Sequence, residues 1–598
     1  MFFPKLKPYK LTENTISTFG GIDRTSAASE NFFSNTQNTT SSLFPILSTR
    51  EKRSVLTSLP EKPSALHTTN GITYVIGTSL YYNGVLQYDK LEENTKKQIV
   101  SMGSKIIVFP DNYYIDTMTL NEDKICVSKG FLHSKNILSY VSVSLTPCIA
   151  GRPYPIVLPK TPQQVEDGAL WLDSSVFPNQ LYIYSATNNT WTSIASTHIC
   201  ILADHIHMGL KIGDGIEISN LGFGMDGYHT VADMEYDQIT VPGYIDKVYG
   251  GLFEGQNRIT IERAVPVMDF VCEHQNRLFG CRYGLNNKGE FVNEIYASKH
   301  GDPTNWNVYQ GISTDSYTAS CGSEGEFTGI ASHMGNVLFF KENSIHRLFG
   351  TKPSNFTVYN DKYPGIKKHS ENSVCNHNGT LFYHSNDGIY SYSGSAPILI
   401  SKPLGNEIFS HAVAAVGKNT YFICLTDSYQ TRHLYAYDIV RNLWHRHDST
   451  DYMFFSKYDG NILSINHTQD GYNLELLFSS EIPELCQTLY SDSLKTENNF
   501  DWFAESGLIG LSFDDCKYLN KLKVRIEISE GSSVSVFIQT DSNNNWELFD
   551  TLTSSKLTTR ILHILPPRCD HFKLKFAGKG DFKLYSLTKV IEKAGEVV

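Results

Sequence analysis

The sequence predicts an all-β protein: a six- or seven-bladed β-propeller with an inserted β domain and a C-terminal β-sandwich. Three observations lead to this prediction. Apolar and polar residues alternate with a period of two along most of the chain, as in Ile72–Ile76 and Ser533–Ile538. Gly, Asn, Asp and Pro interrupt the alternation every ~8–12 residues. A strand–turn–strand pattern also recurs at the roughly 40–45-residue spacing of propeller blades.

The recurring unit is a short apolar strand, a turn with Asn or Gly, a strongly apolar strand, a second turn and an aromatic strand. Seven copies occupy the ranges 65–84, 99–116, 271–298, 330–350, 373–394, 412–438 and 454–478. The turns of the last four copies are spaced by 44, 38 and 43 residues. A single blade cannot bury both of its faces, so we expect the copies to stack around an axis. The alternative is a run of unrelated β-hairpins from sandwiches.

The repeats and the changes of composition divide the chain into six predicted segments. These are an extended N-terminal arm (1–64), the first part of the propeller (65–119), an inserted β domain (120–266), the second part of the propeller (267–480), a linker (481–503) and a C-terminal β-sandwich (504–598). The gap between the second and third repeats is too long for one blade, which predicts the insert. Short helices are predicted at Leu91–Val100 and Pro483–Lys495.

The arm is rich in Ser, Thr and Asn and has little to bury on its own. It contains Phe32, Phe33, Leu43, Phe44 and Leu47, which we expect to dock on a neighbouring subunit. Removal of residues 1–60 is therefore expected to leave the propeller folded but to weaken assembly.

Composition and charge exclude some classes of protein. Aromatic residues make up 12% of the 598 residues, which excludes a globally disordered chain. The formal net charge of −11 argues against a sequence-reading nucleic-acid binder, which needs basic patches. It does not exclude a surface past which DNA slides.

Eleven scattered cysteines without a CxxC pair predict reduced core residues. The N-terminal stretch lacks the apolar region of a signal peptide, and no run approaches the ~18 apolar residues of a membrane span. We therefore expect a soluble protein without a membrane span.

Two histidine-rich stretches are candidate metal sites. In Asp204–His207, with His198 and His229 nearby, a strand would place His205 and His207 on one face. The stretch Trp444–Asp448 has a similar pattern. Exposed imidazoles on a sheet surface explain both stretches more simply, so we predict no metal site.

No catalytic constellation is predicted. Glycosidases need two facing carboxylates, and the sequence pairs none. The turn Ser385–Gly388 is one residue short of the turns repeated in sialidase-type propellers, and Asp387 is better explained as a turn former. GxSxG, HExxH and GxxxxGK[ST] motifs are absent from the sequence. We therefore predict no catalytic residues, no cofactor-binding residues, no cofactor and no enzyme activity.

Several short sequence motifs resemble those of the tail hub or nozzle ("stabilisation") proteins of short-tailed bacteriophages. The most specific are Asn276–Gly280, within Glu273–Cys281, and Ala297–Trp306, which follows Glu294–Tyr296. The resemblance covers roughly residues 20–590. It also rests on these shorter stretches: Phe339–Glu342, Ile345–Arg347, Leu443–Arg446, Leu170–Asp173, Phe44-Pro45, Arg50 and Arg53. Phe279 stands where we would expect Trp, which leaves the phage type open.

The resemblance implies a structural virion protein that forms a ring, as a hexamer, below the portal and adaptor. Such a ring closes the channel and lets genomic double-stranded DNA pass during ejection without sequence-specific binding. The implied partners are copies of the chain itself, portal and adaptor proteins, and a tail needle or receptor-binding tail proteins. The implied location is the virion tail, after assembly in the host cytoplasm.

A second hypothesis comes from a different class of protein. It is a carbohydrate-binding or carbohydrate-active β-propeller, and a receptor-binding tail protein lies between the two hypotheses. A groove lined by several Trp and paired carboxylates would favour it. The sequence has only six Trp, most of them needed in repeats and cores.

Overall fold

The computed structural model describes residues 11–25, 28–93, 95–138, 143–251, 258–511, 516–563 and 567–593. Over these residues the chain forms fifty β-strands and one α-helix, α1 (Glu484–Leu489). Three 3-10 turns occur at Pro353–Asn355, Glu371–Ser373 and Lys402–Leu404. The chain divides into two compact units, 1–94 with 341–344 and 362–598, and 95–340 with 345–361. The all-β prediction is confirmed.

Four blades of the propeller belong to the first unit. Their strands are β6 (Pro63–His67), β7 (Thr73–Ile76), β8 (Ser79–Tyr82) and β9 (Val85–Tyr88); β34 (Cys375–His377), β35 (Thr380–Ser385), β36 (Gly388–Tyr392) and β37 (Ile398–Leu399); β38 (Ala412–Gly417), β39 (Thr420–Thr426), β40 (Arg432–Asp438) and β41 (Leu443–Arg446); and β42 (Asp451–Tyr458), β43 (Asn461–Thr468) and β44 (Gly471–Leu476) with β5 (Ser54–Leu59). Their first strands pack in the order β34, β38, β42, β6.

Three blades belong to the second unit. Their strands are β10 (Gln98–Met102), β11 (Lys105–Phe109), β12 (Tyr113–Asp116) and β13 (Lys129–Phe131); β26 (Phe270–His274), β27 (Arg277–Leu285), β28 (Phe291–Ala297) and β29 (Tyr317–Ser320); and β30 (Phe327–His333), β31 (Asn336–Lys341), β32 (Ser344–Phe349) and β33 (Thr357–Asp361). Each blade is an up-and-down sheet of four strands. The described residues thus give seven blades, and the predicted propeller is confirmed.

Local sequence explains why the blades form. The turns Asn378-Gly379 and Asp459-Gly460 have positive φ at both residues, which two-residue hairpins require. The second strand of each blade is strongly apolar, and every residue of β7 is buried. Burial on both faces of a strand is what stacking between neighbouring blades produces.

The inserted β domain lies in the second unit and contains three four-stranded sheets. They are β14 (Ser134–Leu138), β25 (Ile259–Arg263), β21 (Gly215–Ser219) and β22 (Gly227–Thr230); β15 (Ser144–Cys148), β20 (His198–Leu202), β24 (Gln238–Pro242) and β23 (Asp233–Glu235); and β16 (Ile156–Leu158), β17 (Leu170–Asp173), β18 (Gln180–Ser185) and β19 (Thr190–Ile194). The first two sheets enclose one aliphatic core that includes Ile199, Ile218 and Ile261. Strand β13 pairs with the second blade, so the sheets of the insert begin at β14.

The predicted C-terminal β-sandwich belongs to the first unit, and its strands form one nine-stranded sheet that closes around a shared core. Its strands are β46 (Asp501–Ser506), β47 (Lys517–Thr540), β48 (Glu547–His563), β49 (Phe572–Lys579) and β50 (Phe582–Lys593), with β1 (Leu11–Ile16), β2 (Phe33–Gln37), β3 (Thr39–Thr40) and β4 (Leu47–Thr49). The long strand β47 pairs with β50 over residues 517–528 and with β49 over residues 533–540. Gly531, with φ of +72°, lies between the two parts. One strand therefore serves both halves of the sheet, around a core in which Trp502 stacks on Phe582.

The N-terminal segment, residues 11–25 and 28–59, is built into these sheets. Strands β1 to β4 join the sandwich, and β5 is the fourth strand of the blade formed by β42 to β44. A further strand, β45 (Lys495–Thr496), pairs with the other edge of β5. At Gly21 an added Cβ would lie 2.2 Å from the Trp444 carbonyl oxygen, so the segment passes against the backbone of β41. This arrangement revises the expectation that residues 1–60 can be removed without unfolding the propeller.

The two helix predictions have different outcomes. The helix predicted over Leu91–Val100 is wrong, because β10 begins at Gln98 and pairs with β11. The helix predicted over Pro483–Lys495 is present but shorter, as α1.

All eleven cysteines are free. Eight of the eleven are buried, which places these eight in the core. No helix in the described part of the chain has the length and apolar character of a membrane span.

Candidate functional site

A buried cluster of charges holds the N-terminal segment in the first unit. Arg53, next to β5, forms an ion pair with Asp448, with 2.8 Å between Nη1 and Oδ2. Arg50 donates hydrogen bonds from both Nη atoms to the carboxylate of Glu497, at 2.8 Å each. Glu475 on β44 completes the group, which we call the Arg53 cluster (Arg50, Arg53, Asp448, Glu475 and Glu497). The cluster ties together parts of the chain that lie some 450 residues apart in sequence.

Burial and charge compete at each carboxyl of the Arg53 cluster. Burial alone would raise the pKa of Asp448, but the charges of Arg53 and Arg50 outweigh it and hold that pKa well below its usual value. Burial also opposes ionisation of Glu497, and the hydrogen bonds from Arg50 lower its pKa. At Glu475 burial prevails, so the pKa is raised.

The closed surroundings of the cluster decide what it can do. Tyr452 donates a 2.5 Å hydrogen bond to Oε1 of Glu475, and the Arg53 guanidinium lies 5.4 Å from the Tyr452 ring centre. Arg53 and Glu475 are only 6% and 5% exposed. A group enclosed to this degree holds elements of the fold together, and we assign it a structural role.

The stretch Trp444–Asp448, weighed above as a metal site, is part of this buried region. The Trp444 indole N–H donates to the Ile400 carbonyl oxygen at 2.8 Å. Burial lowers the pKa of His445 to about 4 and that of His447 well below its usual value. Both rings are therefore neutral at pH 7 and pack inside the fold, while Asp448 belongs to the Arg53 cluster.

We predict that mild acid destabilises the first unit. Below pH ~6.5 the unfolded chain takes up protons at His445 and His447, whereas the folded protein does not until the pH approaches their lowered pKa values. The free energy of unfolding should fall between about pH 6.5 and 4 by roughly 1.4 kcal/mol per pH unit for each histidine. Below about pH 4 the contribution of ionised Asp448 is lost as well.

Urea unfolding at pH 7.5, 6.5, 5.5 and 4.5 measures this slope. The double variant His445→Gln/His447→Gln should reduce it, leaving the share of His67 and His384, whose pKa values burial also lowers, and His369→Gln, at an exposed position, serves as the control. A free energy of unfolding that is constant over this range would contradict the prediction.

The two most specific motifs of the sequence resemblance, Asn276–Gly280 and Ala297–Trp306, lie next to each other in the second unit of the chain. Arg277 is 2% exposed and donates hydrogen bonds to the carbonyl oxygens of Ser298, Ser313 and Asp315, at 2.7, 2.6 and 2.6 Å. The Leu278 amide donates to Oγ of Ser298. The chain after β28 is thus held against the start of β27.

The loop Gly301–Trp306 joins the third repeat to the inserted domain. Asp302 accepts hydrogen bonds from the amide and hydroxyl of Thr304, which forms a tight turn. The Trp306 indole donates to the Pro303 carbonyl oxygen and is 2% exposed. Asn305 donates to Asp214 of the insert and accepts from the Gly215 amide. The loop therefore fixes the insert to a blade.

The other candidate metal site lies on the surface of the insert. Ligand atoms of Asp204, His205 and Asp237 lie within 4.8 Å of one another, and all three residues are exposed. Residues 204–209 form turns rather than a strand, so the expectation that His205 and His207 share a strand face is wrong. His198 bonds to Thr197 and His229 to the Met225 carbonyl oxygen, outside the group.

Two features of this surface escaped the sequence analysis. Asp237 comes from the turn between β23 and β24, and its carboxylate accepts a hydrogen bond from the His205 amide at 2.9 Å. The Tyr236 ring, 64% exposed, lies 4.6 Å from the His207 ring centre and 5.8 Å from that of His205. We call Asp204, His205, His207, Tyr236 and Asp237 the Tyr236 patch. Three exposed ligands are fewer than the four of a structural zinc site, so we assign no metal.

Asp387, the other residue weighed for catalysis, lies in the two-residue turn between β35 and β36. That position agrees with its interpretation as a turn former.

Comparisons with known proteins return similarities of structure only. No protein-family model and no curated protein matches the chain. A Phanerochaete chrysosporium exo-β-1,3-galactanase with bound galactose is 9% identical, with a TM-score of 0.21, and the match covers 53% of this chain and 95% of that one. A Trypanosoma rangeli sialidase is 10% identical, with a TM-score of 0.22, covering 69% and 94%. The extracellular domain of a B. thetaiotaomicron hybrid two-component system is 9% identical, with a TM-score of 0.22, covering 92% and 99%.

These comparisons overturn one prediction. Glycoside hydrolases and a sialidase among the matched structures contradict the prediction that the protein is not an enzyme, and we withdraw it. At such low identities and TM-scores, no reaction, substrate or catalytic residue is carried over to this chain.

Proposed function

We propose that the protein is a structural subunit of a virion tail, in the ring-shaped hub or nozzle that lies below the portal and adaptor. In this proposal six copies form the ring. The ring keeps the channel closed until ejection, when genomic DNA passes through it. The ring contacts the portal and adaptor on one side and a tail needle or receptor-binding proteins on the other. The proposal includes assembly in the host cytoplasm.

The integration of the N-terminal segment is the structural observation that supports this proposal most. A subunit of a channel under load needs terminal segments that stay paired with the rest of the subunit. Here β1 to β5 are paired into a sandwich and a blade, and the Arg53 cluster anchors the segment beside β5. The motif Ala297–Trp306, which resembles tail hub proteins, adds to this support, since its Asn305 joins a blade to the insert.

Protein composition of purified particles tests the proposal. Quantitative mass spectrometry should find the chain in DNA-filled particles at a low copy number close to six. Recovery of the chain only from the host lysate, with none in particles, would contradict a structural role in the tail.

The proposal also predicts weak binding to DNA. Lysines on two strands of the C-terminal sheet are paired with carboxylates: Lys523 on β47 with Glu13 at 2.6 Å, and Lys575 on β49 with Glu505 at 2.9 Å. Because phosphate contacts add salt-dependent affinity, we expect a Kd for duplex DNA no lower than roughly 10⁻⁴–10⁻⁶ M at physiological salt. A fluorescence titration with labelled duplex at two salt concentrations measures it. Tight binding with a steep salt dependence would favour a DNA-gripping role.

A second candidate function, binding of carbohydrate, is favoured by the Tyr236 patch. An exposed aromatic ring offers an apolar face, and Asp204 and Asp237 beside it offer hydrogen-bond acceptors for hydroxyl groups. This combination suits a neutral sugar on a cell-surface glycan and would make the chain a receptor-binding tail protein.

A glycan array followed by calorimetry tests the second candidate. Tyr236→Ala should abolish binding, whereas Tyr429→Ala, at a position 88% exposed on the first unit, should not. Equal loss in both variants, or no bound glycan, would count against it.

A further inference from the structure

A cleft in the second unit lies between the blade β10–β13, the inserted domain and the loop Gly301–Trp306. Its volume is about 220 Å³. The side chains that line it are Lys105, Tyr114, Phe131, Lys211, Arg263 and Thr304. Pockets for drug-sized ligands measure about 300–1,000 Å³, so this cleft suits one small molecule. Neither the Arg53 cluster nor the Tyr236 patch contributes to it.

Arg263 lines the cleft and is held by an ion pair and hydrogen bonds. It is 7% exposed, and its Nη1 lies 2.5 Å from Oδ2 of Asp214. Nε donates to the Leu132 carbonyl oxygen and Nη1 also donates to that of Gly209, both at 3.0 Å. Among the residues that the structure describes, Nη2 bonds to no acceptor. The guanidinium is thus fixed in orientation, with both N–H donors of Nη2 left for a ligand or solvent.

The charges of the cleft do not cancel. Lys211 forms an ion pair with Asp302 at 2.8 Å, and Asp214 offsets Arg263. Lys105 has no carboxylate or hydrogen-bond partner among the described residues, and its Nζ lies 5.5 Å from the centre of the Tyr114 ring. Among the lining side chains and their ion-pair partners, two carboxylates therefore face three cations.

We propose that this cleft binds a small anion, a carboxylate or phosphate group, carried on a compact molecule such as an acidic sugar. Lys105 would supply the charge, and Nη2 of Arg263 a directed hydrogen bond. The rings of Tyr114 and Phe131 offer apolar walls for the body of the ligand. The volume fits a single anionic group better than a polymer backbone. The proposal is independent of both candidate functions above.

Calorimetric titration of the full chain, in a buffer without phosphate, tests the proposal. The probes are glucuronate, inorganic phosphate and, as a neutral ligand of similar shape, glucose. We expect glucuronate or phosphate to bind and glucose to give no heat. Glucuronate alone would assign the site to acidic sugars, and phosphate alone to phosphorylated ligands.

Variants connect binding to the cleft. Lys105→Gln should weaken binding about tenfold, in line with loss of one charged contact. Lys105→Arg should retain most of it, and Lys160→Gln, which removes an exposed charge from the insert outside the cleft, should leave it unchanged. Circular dichroism verifies that each variant is folded. Absence of heat with both anions at roughly 10 mM, or equal affinity of Lys105→Gln and the parent, would overturn the proposal.

Discussion

Replacement of Arg53 with alanine should lower the free energy of unfolding of the first unit by about 3–5 kcal/mol. The guanidinium is buried and paired with Asp448, and Glu475 and Glu497 add to the field that holds it. Its loss leaves the carboxylate of Asp448, which is 17% exposed, with one positive partner fewer. Urea unfolding followed by tryptophan fluorescence measures the change.

An exposed ion pair provides the matched control. Lys583 and Glu527 lie 3.2 Å apart in the first unit, with side chains 43% and 35% exposed, so Lys583→Ala should cost no more than about 1 kcal/mol. The double variant Arg53→Ala/Asp448→Ala should recover part of the loss, because the orphaned carboxylate is gone. If Arg53→Ala were as mild as Lys583→Ala, the Arg53 cluster would not anchor the N-terminal segment.

Deletion of residues 1–60 should abolish cooperative folding of the first unit. The deletion removes β1 to β5 and with them the buried side chains of Phe33, Leu47 and Leu56. Full burial of three such side chains contributes on the order of 5–9 kcal/mol. That is comparable to the whole stability of a typical domain, about 5–15 kcal/mol. Solubility after expression and differential scanning calorimetry measure the outcome.

A shorter deletion separates the strands of this segment. Removal of residues 1–16 takes away β1, an edge strand with a mostly exposed pattern, and should leave a cooperative transition. A folded and soluble protein after removal of residues 1–60 would show instead that the segment is a separable arm, as the sequence alone suggested.

Local sequence was enough to predict the blades. Their turns are encoded in pairs such as Asn378-Gly379 and Asp459-Gly460, whose residues accept positive φ, and their buried strands are continuous apolar runs. The helix predicted at Leu91–Val100 failed because pairing of Gln98–Met102 with β11 outweighs the helix preference of the segment.

Pairing between strands that lie far apart in the sequence could not be predicted from the sequence. The alternation in Ser54–Leu59 marks a strand but does not indicate that its partner is β44, more than 400 residues away. The candidate sites failed for the same reason. Asp237 reaches His205 from another turn, and Glu497 reaches Arg50 across most of the chain. No spacing of residues in the sequence predicts either contact.

Electron microscopy of particles carrying a gold-labelled tag on this chain tests the central claim most directly. The account predicts label at the tail, below the portal vertex, with six equivalent positions around the axis in averaged images. Label spread over the capsid surface, or particles without label although the tagged chain is expressed, would contradict a role as the tail hub.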